Sequence, residues 1–193
     1  DRRLPDRAIE GLDLSGLRLG FNGAEPIDPA TIGRLLERFG PLGLRPQSIY
    51  PVYGLAEVTL AAAFPHPDEG PLTDVVHREA LREEGRAVPC SPDDPDARIL
   101  VACGRPLPSF ELGILPPGED TPLPERHVGE IVLRGPSIPR HHWHDGAESA
   151  PIHTLRTGDL GYMAQGRLFV IDRLKDLVIV GGVNHAPSDI ERV

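Results

Sequence analysis

The chain is short of cations, cysteines and long apolar runs, and each shortage excludes something. Its 20 Lys and Arg face 29 Asp and Glu, a net charge of −9 with a pI of about 5.3. That balance repels a phosphate backbone and argues against nucleic acid as a partner. The two cysteines, Cys90 and Cys103, show no C-x-x-C spacing, so they read as the free thiols of a cytoplasmic protein rather than a disulfide or zinc framework. No apolar run approaches the roughly 20 residues of a membrane-spanning helix, so no transmembrane segment is expected. There is no initiator methionine, the one Met being Met163, and the run from Pro187 to Glu191 reads as a helix start with no body. The expectation is a piece cut from a longer protein.

The 22 prolines and 21 glycines are plentiful but scattered between periodic segments, which indicates a loop-rich globular region. Leu17 to Asn22 reads as a buried strand opening into the loop Gly23, Ala24, Glu25, Pro26. Asp28 then caps a helix with Pro29 at its first position and Ile32, Leu35, Leu36 and Phe39 on one face, ending at Gly40. A second apolar strand near Ser48 to Tyr53 completes a β-α-β unit, so the fold class is α/β with a parallel sheet and ligands at the strands' carboxyl ends. The stretch from Pro65 to Asp96, rich in Pro, Asp and Glu, is expected to be loop apart from a short helix at His77 to Glu84. From Ile99 onward, alternating runs at Phe110 to Leu115 and Gly129 to Gly135 predict antiparallel strands of a small β-subdomain.

Near the C-terminus three features follow in order: a glycine-flanked carboxylate (Thr157, Gly158, Asp159), a strand from Gly166 to the cation Arg173, and a basic junction at Lys175. Asp159 in a turn can accept two hydrogen bonds from a sugar diol, and Arg173 can reach the same sugar or its phosphate as a charge-assisted donor. Together they look like a nucleotide clamp. His141, His142 and His144 form a tempting metal cluster, but adjacent histidines on an extended chain point to opposite sides and no cysteine or carboxylate matches them.

The order RTGDLG, G-x-L-x-V-x-D-R-L-K-D, V-x-G-x-N-x-x-P-x-D-I-E resembles the end of the large domain and the hinge of adenylate-forming enzymes, with NHAPSDIE most similar to the fatty acyl-AMP ligase branch. FNGAEP and VYGLAE resemble two further motifs of that family. The resemblance implies that Asp159 and Arg173 hold the ribose, that Gly23, Ala24, Glu25 and Pro26 flank the adenine, and that Tyr53 stacks on or borders it. It also implies that Gly54 and Leu55 bring main chain to the α-phosphate, that Glu57 coordinates magnesium, and that Lys175 is the hinge of the small domain. Hard oxygen ligands suit Mg²⁺, and glycine permits close backbone approach. Ala56 stands where most of the family has Thr; YGLAE followed by Thr59 is what the fatty acyl-AMP ligase branch tends to show.

On this resemblance residues 1–98 are part of the α/β subdomain, 99–174 a β-rich subdomain ending the large domain, and 175–193 the hinge with the first residues of a C-terminal domain. The implied reaction uses ATP and Mg²⁺ to turn a fatty acid into its acyl adenylate, with an acyl carrier protein or polyketide synthase as acceptor. The connection from Trp143 to Leu155 is shorter than the branch's insertion, which keeps coenzyme A open as an acceptor. The family's phosphate loop and second catalytic lysine have no counterpart here, so the isolated chain is expected to be inactive. An acyl-CoA ligase and a non-catalytic remnant are the rival readings.

Overall fold

In the computed structural model the described residues are 4–141, 143–144, 147–148, 151–176, 178–180 and 183–185. Strand β1 (Gly20–Asn22) leads through helix α1 (Pro29–Phe39) to strand β2 (Ile49–Pro51), and the two strands pair in parallel with Phe21 opposite Tyr50. The helix begins where its backbone needs acceptors: the Asp28 carboxylate takes the N–H groups of Ala30 at 3.1 Å and Thr31 at 3.0 Å, and Pro29 has no N–H to satisfy. Ile32, Leu36 and Phe39 then turn inward with Leu44, Ile49 and Val101.

Two expectations about this unit need correction. Leu35, assigned by periodicity to the apolar face, is 39% exposed, because the two strands beneath α1 are too narrow to cover the whole stripe. The strand expected from Leu17 is only Gly20–Asn22, and it is not buried: Phe21 is 66% exposed. A parallel sheet is buried only where layers cover both faces. Here α1 covers one face, while Phe21 rests on the rings of Phe64 and Tyr50, each 5.7 Å away.

After β2 the chain forms β3 (Ala63–Phe64), β4 (Thr73–His77), α2 (Arg78–Glu83), β5 (Ala97–Val101) and β6 (Arg105–Pro106). The stretch read as loop therefore contains a five-residue strand, paired antiparallel from Thr73 opposite Val101 to His77 opposite Ala97. Its Pro- and acid-rich composition belongs to the flanks. The partner of β4 lies twenty residues on, beyond the reach of local pattern. The short helix falls as expected. The division after residue 98 falls inside β5, whose pairing carries the chain across it without a break.

The remaining strands are antiparallel, as the alternation predicts. Strands β7 (Glu111–Leu115) and β8 (Gly129–Arg134) precede the two-residue pair β9 (Trp143–His144) and β10 (Ala147–Glu148). The long hairpin β11 (Leu155–Ala164) and β12 (Arg167–Arg173) follows, and then the pair β13 (Val178–Val180) and β14 (Val183–His185). One sheet has the order β12-β11-β8-β7. Ile131, Leu133 and Leu168, all fully buried, pack with Tyr53, Ala62 and Ala63, so the loop after β2 is fastened to this sheet by its own core. A second cluster joins Val76 and Leu100 to Tyr162 and Phe169, whose rings stack at 5.0 Å. His142 and the helix expected from Pro187 lie outside the described residues, as do the side chains of the other histidines beyond His141 in that cluster.

Candidate functional site

The Thr-Gly-Asp segment is not a turn between elements but a bulge within β11. Arg156 lies opposite Val132 and Leu160 opposite Glu130, so residues 157–159 face Ile131 alone. Extra residues in one strand must arch out of the ladder, and one of them needs an unusual backbone conformation. Gly158 supplies it with φ +73°, and a Cβ there would meet nothing within 4 Å, so the demand for glycine comes from the dihedral angle rather than from crowding.

Side chains hold the arch. Glu130, 6% exposed, accepts the Gly158 N–H at 3.1 Å through Oε1 and the Arg156 guanidinium at 2.6 Å through Oε2. Thr157 donates its hydroxyl to the Ile131 carbonyl at 2.7 Å and accepts the Asp159 N–H at 3.1 Å. The bulge thereby presents Asp159, 9% exposed, at a fixed place.

Among the described residues the Asp159 carboxylate has two side-chain donors. Tyr53 donates its hydroxyl to Oδ2 at 2.8 Å, and Arg173, directly opposite on β12, donates Nε to Oδ1 at 3.2 Å. Burial, followed by the nearby Asp159 charge, pushes the Tyr53 hydroxyl well above its ordinary 10.0, so it stays protonated and remains a donor. An ionised carboxylate offers about four lone-pair sites, so Asp159 keeps capacity for a diol.

These groups border a cavity of about 320 Å³, at the lower end of the roughly 300–1,000 Å³ of small-molecule pockets. The loop from Ala24 to Ile27 forms one wall, Val52 to Gly54 a second, and Ile171 to Arg173 with Asp159 a third. Ile27, Val52 and Ile171 offer apolar surface to a flat ring among charged neighbours, the carboxylate suits hydroxyls, and the guanidinium of Arg173, its side chain 57% exposed, suits an anion at the mouth.

Of the residues singled out in the sequence, Ala24, Glu25, Pro26, Tyr53, Gly54, Asp159 and Arg173 all line this cavity. Gly23 does not; it lets two loops meet, since a Cβ there would sit 2.8 Å from the Val52 carbonyl oxygen. Gly54 is needed for a reason internal to the chain, because its Cβ would lie 1.7 Å from the Leu60 carbonyl oxygen. Leu55 packs half-buried against the core, Glu57 is exposed on the 3-10 turn Ala56–Val58, and Lys175 is exposed on the turn Leu174–Asp176.

The sequence did not point to Arg98, Cys103, Asp172 or Asp176, which also line the cavity. Arg98 and Asp172 are charged yet 6% and 8% exposed. A charge inside the apolar strand ARILV is the one signal that could have found Arg98. Cys103 is buried, and burial pushes its thiol up to about 12. Among the described residues the group close enough to hold a metal ion is His77, Glu79 and Asp96, remote in sequence from every expected site residue. There Asp96 accepts the Glu79 N–H at 2.9 Å and so serves the start of α2.

The sequence model of the family described as AMP-binding enzyme matches residues 2–143. The chain is 39% identical to the long-chain-fatty-acid–AMP ligase FadD26 of Mycobacterium marinum, covering 98% of this chain and 35% of that protein. It is 36% identical to the medium-chain-fatty-acid–[acyl-carrier-protein] ligase JamA of Moorena producens, covering 98% and 34%. A solved structure from a study of fatty acyl-adenylate ligases of E. coli and L. pneumophila superposes with a TM-score of 0.91 at 35% identity, covering 99% of this chain and 35% of that one. The fatty acyl-adenylate ligase of L. pneumophila in complex with acyl adenylate and pyrophosphate gives a TM-score of 0.81 at 32% identity, covering 91% and 32%. The chain thus spans about a third of the length of the relatives it matches.

Proposed function

This chain belongs to the AMP-binding enzyme family, and from that premise we propose that its cavity holds the adenylate of a ligase that activates fatty acids with ATP. The observation that carries the reading is the convergence of Tyr53, Asp159 and Arg173 from two distant parts of the sequence on one rim of a cavity. On this reading the ribose hydroxyls donate to Asp159, Arg173 faces the sugar and phosphate, and the adenine lies between the Ala24–Pro26 wall and the Tyr53–Gly54 wall.

In the reaction a carboxylate oxygen of the fatty acid attacks the α-phosphorus of ATP. A new O–P bond forms as the bond to the bridging oxygen breaks, and pyrophosphate leaves with that electron pair. Little covalent chemistry falls to the protein; positioning and stabilisation of charge at phosphorus do the catalysis. Glu57 fits a magnesium site, being a hard-oxygen donor exposed enough for an ion that keeps water and substrate phosphates in its shell. When bound, Mg²⁺ would neutralise charge on the phosphates.

The thiol of an acyl carrier protein or polyketide synthase then attacks the acyl carbon, a thioester forms as the C–O bond to the adenylate breaks and AMP leaves, and Lys175 lies at the hinge of the movement. The resemblance of NHAPSDIE and the activity named for the Moorena relative support a carrier protein. The short connection before Leu155 is the feature that favours coenzyme A instead. The test is to incubate the natural gene product with ATP, Mg²⁺ and fatty acids of several lengths and to assay acyl-AMP by mass spectrometry, then to offer carrier protein and coenzyme A in competition. Acyl-AMP followed by acyl-carrier protein is the expected result. Absence of acyl-AMP with every acid would overturn the reading.

A further inference from the structure

The sequence motif contains the carboxylate that meets the sugar, but nothing in the motif explains why a carboxylate on a glycine-containing bulge should hold still. The structure answers with Glu130, whose side chain is nearly all buried and whose two oxygens are used differently. Oε1 takes the N–H of Gly158, the residue before Asp159, at 3.1 Å; Oε2 takes Nη1 of Arg156 at 2.6 Å. Arg156 is in turn anchored to Asp120 at 3.1 Å and to the Glu119 carbonyl. Glu130 thus grips the bulge both at its base and at its apex.

A buried carboxylate is costly unless paired and hydrogen-bonded, so its presence in a strand whose other buried residues are Gly129, Ile131, Val132 and Leu133 calls for a specific role. A strand face could be filled by a leucine. What a leucine could not do is accept the Gly158 N–H, which the bulge has withdrawn from the regular ladder. We infer that Glu130 is a positioning residue for ribose recognition: by fixing the Gly158 peptide it sets the direction in which Asp159 offers its carboxylate. This inference rests on the reading of Asp159 as the ribose acceptor.

The chemistry of the Glu130→Gln variant makes the idea testable. An amide cannot serve both partners at once: with its oxygen toward Gly158 its NH₂ confronts the donors of Arg156, and flipped it confronts the Gly158 N–H. Changing Arg156→Gln as well removes the conflict, since the amide at 130 can then accept from Gly158 and donate to the amide at 156.

The experiment measures binding of AMP, 2′-deoxy-AMP and 3′-deoxy-AMP to the natural gene product and its variants by calorimetry, with circular dichroism confirming the fold. Asp159→Asn is expected to reduce the preference for AMP over the deoxy analogues at least tenfold. Glu130→Gln should reduce it comparably, the double variant Glu130→Gln/Asp159→Asn no further, and Glu130→Gln/Arg156→Gln should recover most of it. A residue that merely supported the fold would weaken all three ligands alike. Should Glu130→Gln fail to fold, Glu130→Leu/Arg156→Leu removes the charges in pairs and should still lose the preference. If Asp159→Asn keeps the preference, the ribose reading falls and this inference with it. If Asp159→Asn loses it while the folded Glu130 variants keep it, the ribose reading stands and the role of Glu130 is overturned.

Discussion

Tyr53 donates its hydroxyl to Asp159 at 2.8 Å across 106 residues of chain, and this bond ties the loop after β2 to the bulge of β11. The ring is itself part of the core with Ile131, Leu133 and Leu168. One residue therefore both closes the wall of the cavity and steadies its carboxylate.

Tyr53→Phe separates the two contributions. The ring stays in the core while a hydrogen bond to a charged group is lost, a cost of about 1–3 kcal/mol in unfolding free energy. AMP affinity should fall several-fold. Tyr53→Ala also leaves a cavity and should cost about 3–5 kcal/mol. A Tyr53→Phe protein with an unchanged denaturation midpoint would show that the bond contributes nothing.

Gly54→Ala and Gly158→Ala should behave differently although both are glycines of the site. At Gly54 a Cβ would meet the Leu60 carbonyl oxygen at 1.7 Å and the Ala61 Cα at 2.8 Å, backbone atoms that cannot swing aside. The expected loss exceeds about 3 kcal/mol. At Gly158 the space is open and only the positive φ opposes alanine, for roughly 1–2 kcal/mol. Thermal melts of the two variants side by side decide the ranking.

Stability should decline at alkaline pH. Burial raises the Cys103 thiol from its ordinary 9.0 to about 12, and it raises the Tyr53 and Tyr162 hydroxyls as well. The unfolded chain then releases these protons at lower pH than the folded one. Their contribution is fully present below about pH 9 and is lost as pH rises toward the folded values. Urea midpoints between pH 8 and pH 11 should fall, and less steeply in Cys103→Ala. A flat profile would contradict the burial of these groups as protonated species.

Glu57→Gln should affect the reaction and spare nucleotide binding. Glu57 is exposed and does not line the cavity, so AMP should bind the variant as it binds the parent. Acyl-AMP formation by the natural gene product should drop at least tenfold, with EDTA reproducing the loss in the parent. Equal rates in variant and parent would remove Glu57 from the metal site.

Signals that act within a few residues were readable from the chain alone. The Asp28 cap with Pro29 gave the start of α1, because capping is local physics, and GEIVLRG gave the place of β8 although its first five residues are all buried rather than alternating. Motif likeness put Tyr53, Asp159 and Arg173 on one list. It could not show that they touch, since contact between them depends on the packing of Tyr53 into the sheet and on the register of β11 against β12.

The tertiary structure decided the rest. Whether Thr157 to Asp159 forms a turn or a bulge depends on how many residues of β11 oppose Ile131, a count set by pairing with a strand more than twenty residues away. The sequence placed Glu130 only within the strand expected from Gly129 to Gly135; the pairing with β11 puts its carboxylate under Gly158. Phe21, apolar and in a strand, looked buried until the structure showed α1 covering one face alone. Composition and local pattern determined many of the elements, though not β4, and what chemistry their residues carry. Which charges meet, and in which direction they point, was settled by long-range register, where a shift of one residue turns every side chain to the opposite face.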